Sequence, residues 1–89
     1  MTTLGEILAE LRDPEEVRRL LAEAGDLALM AKVEQAAGSD TCGFALQAVE
    51  HFVRGADSEA WVRLVGRIQD SSTPAQSCLG EMLRWAVSH

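Results

Sequence analysis

The chain has 89 residues, and its 14 acidic residues against 8 basic ones give a formal net charge of −6. This charge excludes a simple basic protein that binds nucleic acid by charge alone. With 47% hydrophobic and 25% charged residues, the composition is that of a folded domain and is too apolar for an intrinsically disordered segment. A chain of this length has room for one core, so residues 1–89 are predicted to form a single helical domain.

Helical periodicity recurs along the whole sequence, whereas the alternating pattern of a β-strand is absent. The predicted fold class is therefore all-α, a compact single-domain bundle of five to six short helices. The first helix is expected to follow Thr3, which together with Glu6 forms a Thr-x-x-Glu capping box. A second helix is expected at Asp13-Pro14, since aspartate suits the N-cap and proline the first helical position.

The junction Gly25-Asp26 is ambiguous, because glycine can end a helix and aspartate can begin one, yet the apolar periodicity continues through it. We predict a break there and a third helix that ends at Gly38. A fourth helix is predicted to run to Gly55, with an apolar stripe at the spacing of a buried helix face. The residues of that stripe are Cys42, Ala45, Leu46, Val49, Phe52, Val53 and Ala56.

The fifth helix is predicted to open at Asp57, with an inward face made of four apolar residues at helical spacing. These residues are Trp61, Leu64, Val65 and Ile68. The sixth helix is predicted to begin at Thr73-Pro74, where Gln76 completes a Thr-x-x-Gln capping box, and to end near Val87.

The fourth and sixth helices are apolar around most of their circumference, and such a helix must be surrounded by other helices or by another molecule. If the sixth helix lies at the edge of the bundle, its outer face is a candidate contact surface for a homodimer or a partner helix. The alternative is that the first three helices wrap it completely, with Trp85 as part of the core. The candidate interface residues are Phe44, Met82, Leu83, Arg84 and Trp85.

Charge is distributed unevenly along the chain, with a net of −5 over residues 1–40 and of −1 over residues 41–89. The basic residues of the second segment form a candidate basic patch, namely Arg54, Arg63, Arg67 and Arg84. A small transcriptional or regulatory protein that binds DNA through this patch is the alternative function. We nevertheless do not expect nucleic acid as the main partner, because phosphate neutralisation dominates DNA affinity and the chain is acidic.

No pattern in the sequence points to catalysis, to a metal or to a cofactor. Cys42 and His51 lie about two and a half helical turns apart, too far for contact on one helix. Glycine-rich phosphate loops and the usual zinc-ligand spacings are absent. We therefore expect no catalytic residues, no metal, no cofactor and no enzymatic activity. A redox or ligand sensor built on Cys42 and Cys78 would require their Cα atoms to approach within about 7 Å; otherwise both are small buried hydrophobes.

The sequence contains neither a secretory signal pattern nor an apolar run of the roughly 20 residues needed to span a membrane. The two cysteines do not form a disulfide framework, so we expect a reducing, cytoplasmic location without a membrane partner. The leading hypothesis is a small, acidic, non-catalytic interaction module with an adaptor or regulatory role. Its expected partner is another protein or a second copy of the chain.

Overall fold

Six helices make up the protein in a computed structural model that describes residues 4–23 and 25–88. In chain order they are α1 (Leu4–Glu10), α2 (Pro14–Ala22), α3 (Leu27–Ala37), α4 (Thr41–Gly55), α5 (Ser58–Gln69) and α6 (Pro74–Ser88). These residues contain no strand, and the predicted all-α bundle of five to six helices is confirmed. Thr3, the predicted N-cap of α1, lies outside the described residues.

Aspartate side chains cap four helices, and each accepts a backbone N–H from the first turn. The pairs are Asp13 with Glu15 at 3.1 Å, Asp26 with Leu29 at 3.0 Å, Asp40 with Gly43 at 2.9 Å and Asp57 with Ala60 at 2.9 Å. Such a cap satisfies a donor that the helix itself leaves unpaired. The predicted starts at Asp13 and Asp57 and the predicted break at Gly25-Asp26 are confirmed.

The end of α3 requires glycine. Gly38 has φ 68°, in the left-handed region that residues with a Cβ atom rarely adopt, and its N–H donates to the Glu34 carbonyl. The predicted end of the third helix is therefore confirmed.

The predicted capping box of α6 does not form, although the helix begins where expected. The Thr73 N–H donates to Ser71 Oγ at 3.0 Å, so it is not available to Gln76. The Ser77 hydroxyl also donates to Ser71 Oγ, at 2.6 Å. Gln76 Oε1 is buried without a hydrogen-bond partner among the described residues. A serine turn thus replaces the predicted box, because the Thr73 N–H is hydrogen-bonded to Ser71 Oγ and not to the Gln76 side chain.

The centre of the bundle is α6, which packs against all five other helices. Four of its residues are buried, namely Cys78, Leu79, Met82 and Leu83. The second principal core helix is α4, which buries Ala45, Ala48, Val49 and Phe52. The two helices with the widest apolar faces in the sequence therefore form the interior, as burial of apolar surface requires.

Helix α5 lies at the periphery, where its main packing contact is with α6. Leu64 is its one fully buried residue, while Trp61 and Ile68 are half-buried against the core. Val65, predicted to face inward, is 36% exposed, so that prediction is wrong. A helix that packs mainly on one neighbour buries a narrow arc, and Val65 lies about 100° around the helix from Leu64.

Candidate functional site

Two of the five predicted interface residues lie in the core of the chain itself. Met82 is 0% exposed and Leu83 is 2% exposed. The expectation that α6 turns an apolar face outward is thereby corrected for these two residues, because the other five helices enclose α6. A folded partner could reach them only if the bundle opened.

The aromatic members of the predicted interface are partly buried. Phe44 and Trp85 both pack against the core, and Arg84 alone of the five is exposed. The Trp85 ring contacts Phe52 edge-on, with centroids 5.3 Å apart, and Trp61 does the same at 5.0 Å. These edge-to-face contacts are a favoured aromatic geometry, so they fix both indole rings around Phe52.

Each of the four arginines of the predicted basic patch lies next to a carboxylate. The nitrogen–oxygen distances are 3.4 Å for Arg54–Glu50, 3.8 Å for Arg63–Glu59, 3.1 Å for Arg67–Glu81 and 2.7 Å for Arg84–Asp26. Four arginines and four carboxylates sum to no net charge. A long polyanion lying across this surface would therefore meet neutral pairs and not a basic patch.

Two of these pairs, Arg67–Glu81 and Arg84–Asp26, are joined by a contact between Glu81 and Arg84 into a continuous ionic chain across α5, α6 and the start of α3. Glu81 Oε1 lies 3.1 Å from Arg67 Nε and 3.2 Å from an Arg84 terminal nitrogen, and its side chain is only 13% exposed. The other terminal nitrogen of Arg84 donates to Asp26 at 2.7 Å. The Leu29 backbone N–H and, next, the Arg84 guanidinium lower the pKa of Asp26 by hydrogen bonding to its carboxylate.

Two surface depressions share residues of this ionic chain. The first, which we call the leucine cleft, has a volume of about 230 Å³ and lies between the α2–α3 corner and α6. Its apolar lining includes Leu20, Leu29, Leu79 and Leu83. The second, which we call the arginine hollow, has a volume of about 270 Å³ and lies between α5 and α6. Its lining consists of Phe52, Ala60, Arg63, Arg67, Glu81, Arg84, Trp85 and Ser88.

The outer face of α5 is exposed and carries no charge over three helical turns. We call it the outer strip, and it consists of Ser58, Val62, Val65, Gly66 and Gln69. Val62 is 73% exposed, and among residues 4–23 and 25–88 Leu27 of α3 is the other large apolar residue with comparable exposure, at 78%. Sequence reasoning missed the outer strip, although the absence of charged residues at this helical spacing was a signal that could have found it.

The two cysteines differ in burial, and only Cys78 is a core residue. Cys78 is fully buried, and burial raises the pKa of its thiol to about 12, so it stays protonated at neutral pH. Cys42 is half-buried and its thiol donates to the Pro14 carbonyl at 3.6 Å. Both cysteines are unpaired, and His51 is exposed on α4. Residues 4–23 and 25–88 contain no group of three His, Cys, Asp or Glu residues arranged to hold a metal ion.

Within the described part of the chain, no helix has both the length and the hydrophobicity to cross a membrane. Comparison with protein-family models, with curated proteins and with solved structures found no match for this chain. The exposed surfaces and depressions of the bundle are therefore the basis for a functional hypothesis.

Proposed function

We propose that this protein is a small, non-catalytic cytoplasmic interaction module that self-associates through the outer strip of α5. The observation that carries the proposal is an uncharged, exposed helix face in a chain whose charged residues make up 25% of the sequence. Solvent-facing helix surfaces normally carry charged and polar side chains. Val62 and Val65 lie in the middle of this face, so a contact made there would remove apolar surface from water.

The shape of the outer strip suits a second copy of the same helix. In an antiparallel α5 pair related by a two-fold axis, Val62 of each copy faces Gly66 of the other, so a larger side chain meets a residue without one. A Cβ atom built at Gly66 has no neighbour within 4 Å, so packing within the chain does not require glycine there. Close approach of another helix gives this glycine a physical reason.

The expected dimer is weak. Helix α5 has 12 residues and is therefore about 18 Å long. One helix of this length offers less than the roughly 800 Å² per partner of a standard stable interface. Association that depends on concentration fits an adaptor or regulatory protein whose partners exchange.

Several features support a non-catalytic role in a reducing compartment. The Cys78 thiol is buried and protonated at neutral pH, so it is not a nucleophile. His51 is exposed on α4 and makes no hydrogen bond to a cysteine or serine among the described residues. Unpaired thiols also fit the cytoplasm, where disulfides are rare.

The experiment is sedimentation equilibrium over a wide concentration range at low and high salt, with wild type, Val62→Glu and Leu27→Glu. Both variants replace a strongly exposed apolar side chain with the same charge, but on different helices. We expect wild type and Leu27→Glu to dimerise with increasing concentration, even at high salt. We expect Val62→Glu to stay monomeric, because a carboxylate would be buried in the contact.

A wild-type protein that stays monomeric up to millimolar concentration would contradict self-association. Equal weakening by Val62→Glu and Leu27→Glu would show that net charge, and not the outer strip, governs association. If wild type is monomeric and a protein partner from cell extract is retained by Leu27→Glu but not by Val62→Glu, the outer strip binds a different protein.

DNA binding through Arg54, Arg63, Arg67 and Arg84 stays the alternative prediction. The carboxylate next to each arginine should lower the affinity for DNA, since the pairs carry no net charge. Absence of salt-dependent binding to duplex DNA at low salt would exclude it.

A further inference from the structure

We infer that the arginine hollow binds a small aromatic anion, a ligand with a carboxylate or phosphate group on a planar ring. This site is separate from the outer strip of α5. At 100° per residue, Arg63 and Arg67 lie about 100° and 140° around the helix from Val62. The two surfaces can therefore be tested independently.

Three arginines line the hollow, Arg63, Arg67 and Arg84, against one carboxylate, that of Glu81. The carboxylates of Glu59 and Asp26 lie next to Arg63 and Arg84, so the hollow and its rim together carry no excess positive charge. What favours an anion here is the number of guanidinium N–H donors along the lining and not a net charge.

Two guanidinium groups have donors available for a ligand. Arg67 contacts Glu81 through Nε, and within the described residues its terminal nitrogens make no hydrogen bond. Arg63 lies 3.8 Å from Glu59 in an exposed pair, a contact that contributes little free energy and is easily exchanged. Because the two arginines are four residues apart on α5, their side chains are neighbours. Together they can offer forked donors to one carboxylate or phosphate.

The other main lining residues, Glu81, Arg84 and Trp85, are held in place by contacts within the protein before any ligand binds. Glu81 lies between Arg67 and Arg84, and both terminal nitrogens of Arg84 are already engaged, by Glu81 and Asp26. The Trp85 ring is fixed by its edge contact with Phe52. A site whose side chains are already ordered loses less conformational entropy on binding.

The hollow also limits the size and shape of the ligand. Its volume is about 270 Å³, whereas an engineered apolar cavity of about 150 Å³ in another protein holds benzene. One ring with an anionic group therefore fits. A planar ring gains from packing on an indole or on a guanidinium plane, and both Trp85 and the arginines line the site.

The first experiment is a titration of ¹⁵N-labelled protein with four probes, following the Trp85 indole N–H resonance. Benzoate and phenyl phosphate have a ring and an anion, acetate has the anion only, and benzamide has the ring only. We expect a dissociation constant of about 1 mM or lower for benzoate or phenyl phosphate and at least about tenfold weaker binding of acetate and benzamide. The tighter of the two aromatic anions identifies the head group.

The second experiment repeats the titration with Arg63→Gln, Arg67→Gln and Arg54→Gln. Arg54 is the matched control, because it is exposed, lies next to a glutamate four residues away and does not line the hollow. We expect Arg67→Gln and Arg63→Gln each to weaken binding by about tenfold or more and Arg54→Gln to change it less than twofold. Circular dichroism checks that each variant is folded.

Three results would overturn the inference. The first is no shift of the Trp85 resonance with either aromatic anion at 10 mM, about ten times the expected dissociation constant. The second is equal binding of benzoate and acetate, which would mean a simple charge effect. The third is an equal loss of affinity in Arg54→Gln and Arg67→Gln, which would place the anion outside the hollow.

Discussion

Helices α5 and α6 are adjacent in the sequence and packed together, yet they differ in how their apolar residues are used. Helix α6 is apolar around most of its surface, and five neighbours enclose it. Helix α5 buries a narrow arc centred near Leu64 and leaves apolar Val62 and Val65 exposed. The number of neighbouring helices thus decides how much of an apolar helix surface is buried in this bundle.

Helix α6 mainly serves the stability of the fold, whereas α5 carries the two proposed binding surfaces. The buried side of α6 supplies core contacts, which are sensitive to loss of volume. The exposed sides of α5 supply the outer strip and two arginines of the hollow, where substitutions leave the core intact. Substitutions in the two helices are therefore expected to have different consequences.

The largest expected effect comes from truncation in α6. Leu83→Ala should lower the free energy of unfolding by about 2–5 kcal/mol, because it leaves a cavity among buried neighbours. Val62→Ala in α5 should change it by less than about 0.5 kcal/mol, since its side chain is mostly in solvent. Urea denaturation followed by circular dichroism measures both. Similar losses in the two variants would contradict the central position of α6.

A pH titration tests the enclosure of α6 in a second way. Burial raises the pKa of Cys78 to about 12 from its ordinary value of 9.0, so the neutral thiol is favoured in the folded state. Its contribution to stability is fully present below pH 9 and is lost as the pH rises towards 12. In that window the free energy of unfolding should fall by about 1.4 kcal/mol per pH unit for this group.

Stability measured from pH 8 to 11 in wild type, Cys78→Ala and Cys42→Ala checks this expectation. Cys78→Ala should be less stable at pH 8, because it truncates a core side chain, but its stability should fall less steeply with pH. Cys42→Ala should retain the steep fall. An unchanged slope in Cys78→Ala would mean that the thiol does not control the alkaline loss.

Local features of the fold were predictable from the sequence, whereas pairings between distant residues were not. The caps at Asp13, Asp26 and Asp57 depend on neighbours within three residues, and all were predicted. The Arg84–Asp26 bond joins residues 58 positions apart and depends on how α3 meets α6. The burial of Leu83 likewise depends on the position of α6, which its own periodicity does not specify.

The caps of α5 and α3 should differ in how much they contribute to the free energy of unfolding. Asp57→Ala removes the cap of peripheral α5 and should lower the free energy of unfolding by about 1 kcal/mol. Asp26→Ala should lower it more, because Asp26 both caps α3 and pairs with Arg84 of α6. Chemical denaturation at pH 7 measures the difference. Equal losses would show that the pairing with Arg84 contributes nothing.

Protonation of Asp26 at acid pH should abolish its contribution to the free energy of unfolding. The folded pKa of Asp26 is below its ordinary value of 3.8, so its stabilising contribution is present above that value and lost as the pH falls through the folded pKa. The stability difference between wild type and Asp26→Ala should therefore shrink below about pH 4. A difference that is the same at pH 7 and at pH 2.5 would contradict this assignment.

The smallest expected effects concern three glycines within helices. Gly66 of α5 and Gly80 of α6 have open space where a Cβ would be, so alanine there should raise the free energy of unfolding by about 0.5–1 kcal/mol. Gly43→Ala should lower it, because its Cβ would overlap the Asp40 carboxylate that caps α4. Thermal denaturation of dilute, monomeric protein measures all three. Stabilisation by Gly43→Ala would contradict the described cap.

Gly66→Ala also separates the two roles of α5, because its effect should change sign with concentration. In dilute protein the alanine favours the helix. In an antiparallel α5 dimer the added methyl group lies where Val62 of the second copy approaches, so the dimer should dissociate more readily. Gly80→Ala lies outside the outer strip and should leave dimerisation unchanged. A Gly66→Ala protein that is more stable as a monomer and weaker as a dimer would therefore show that glycine at this position serves association at the expense of stability.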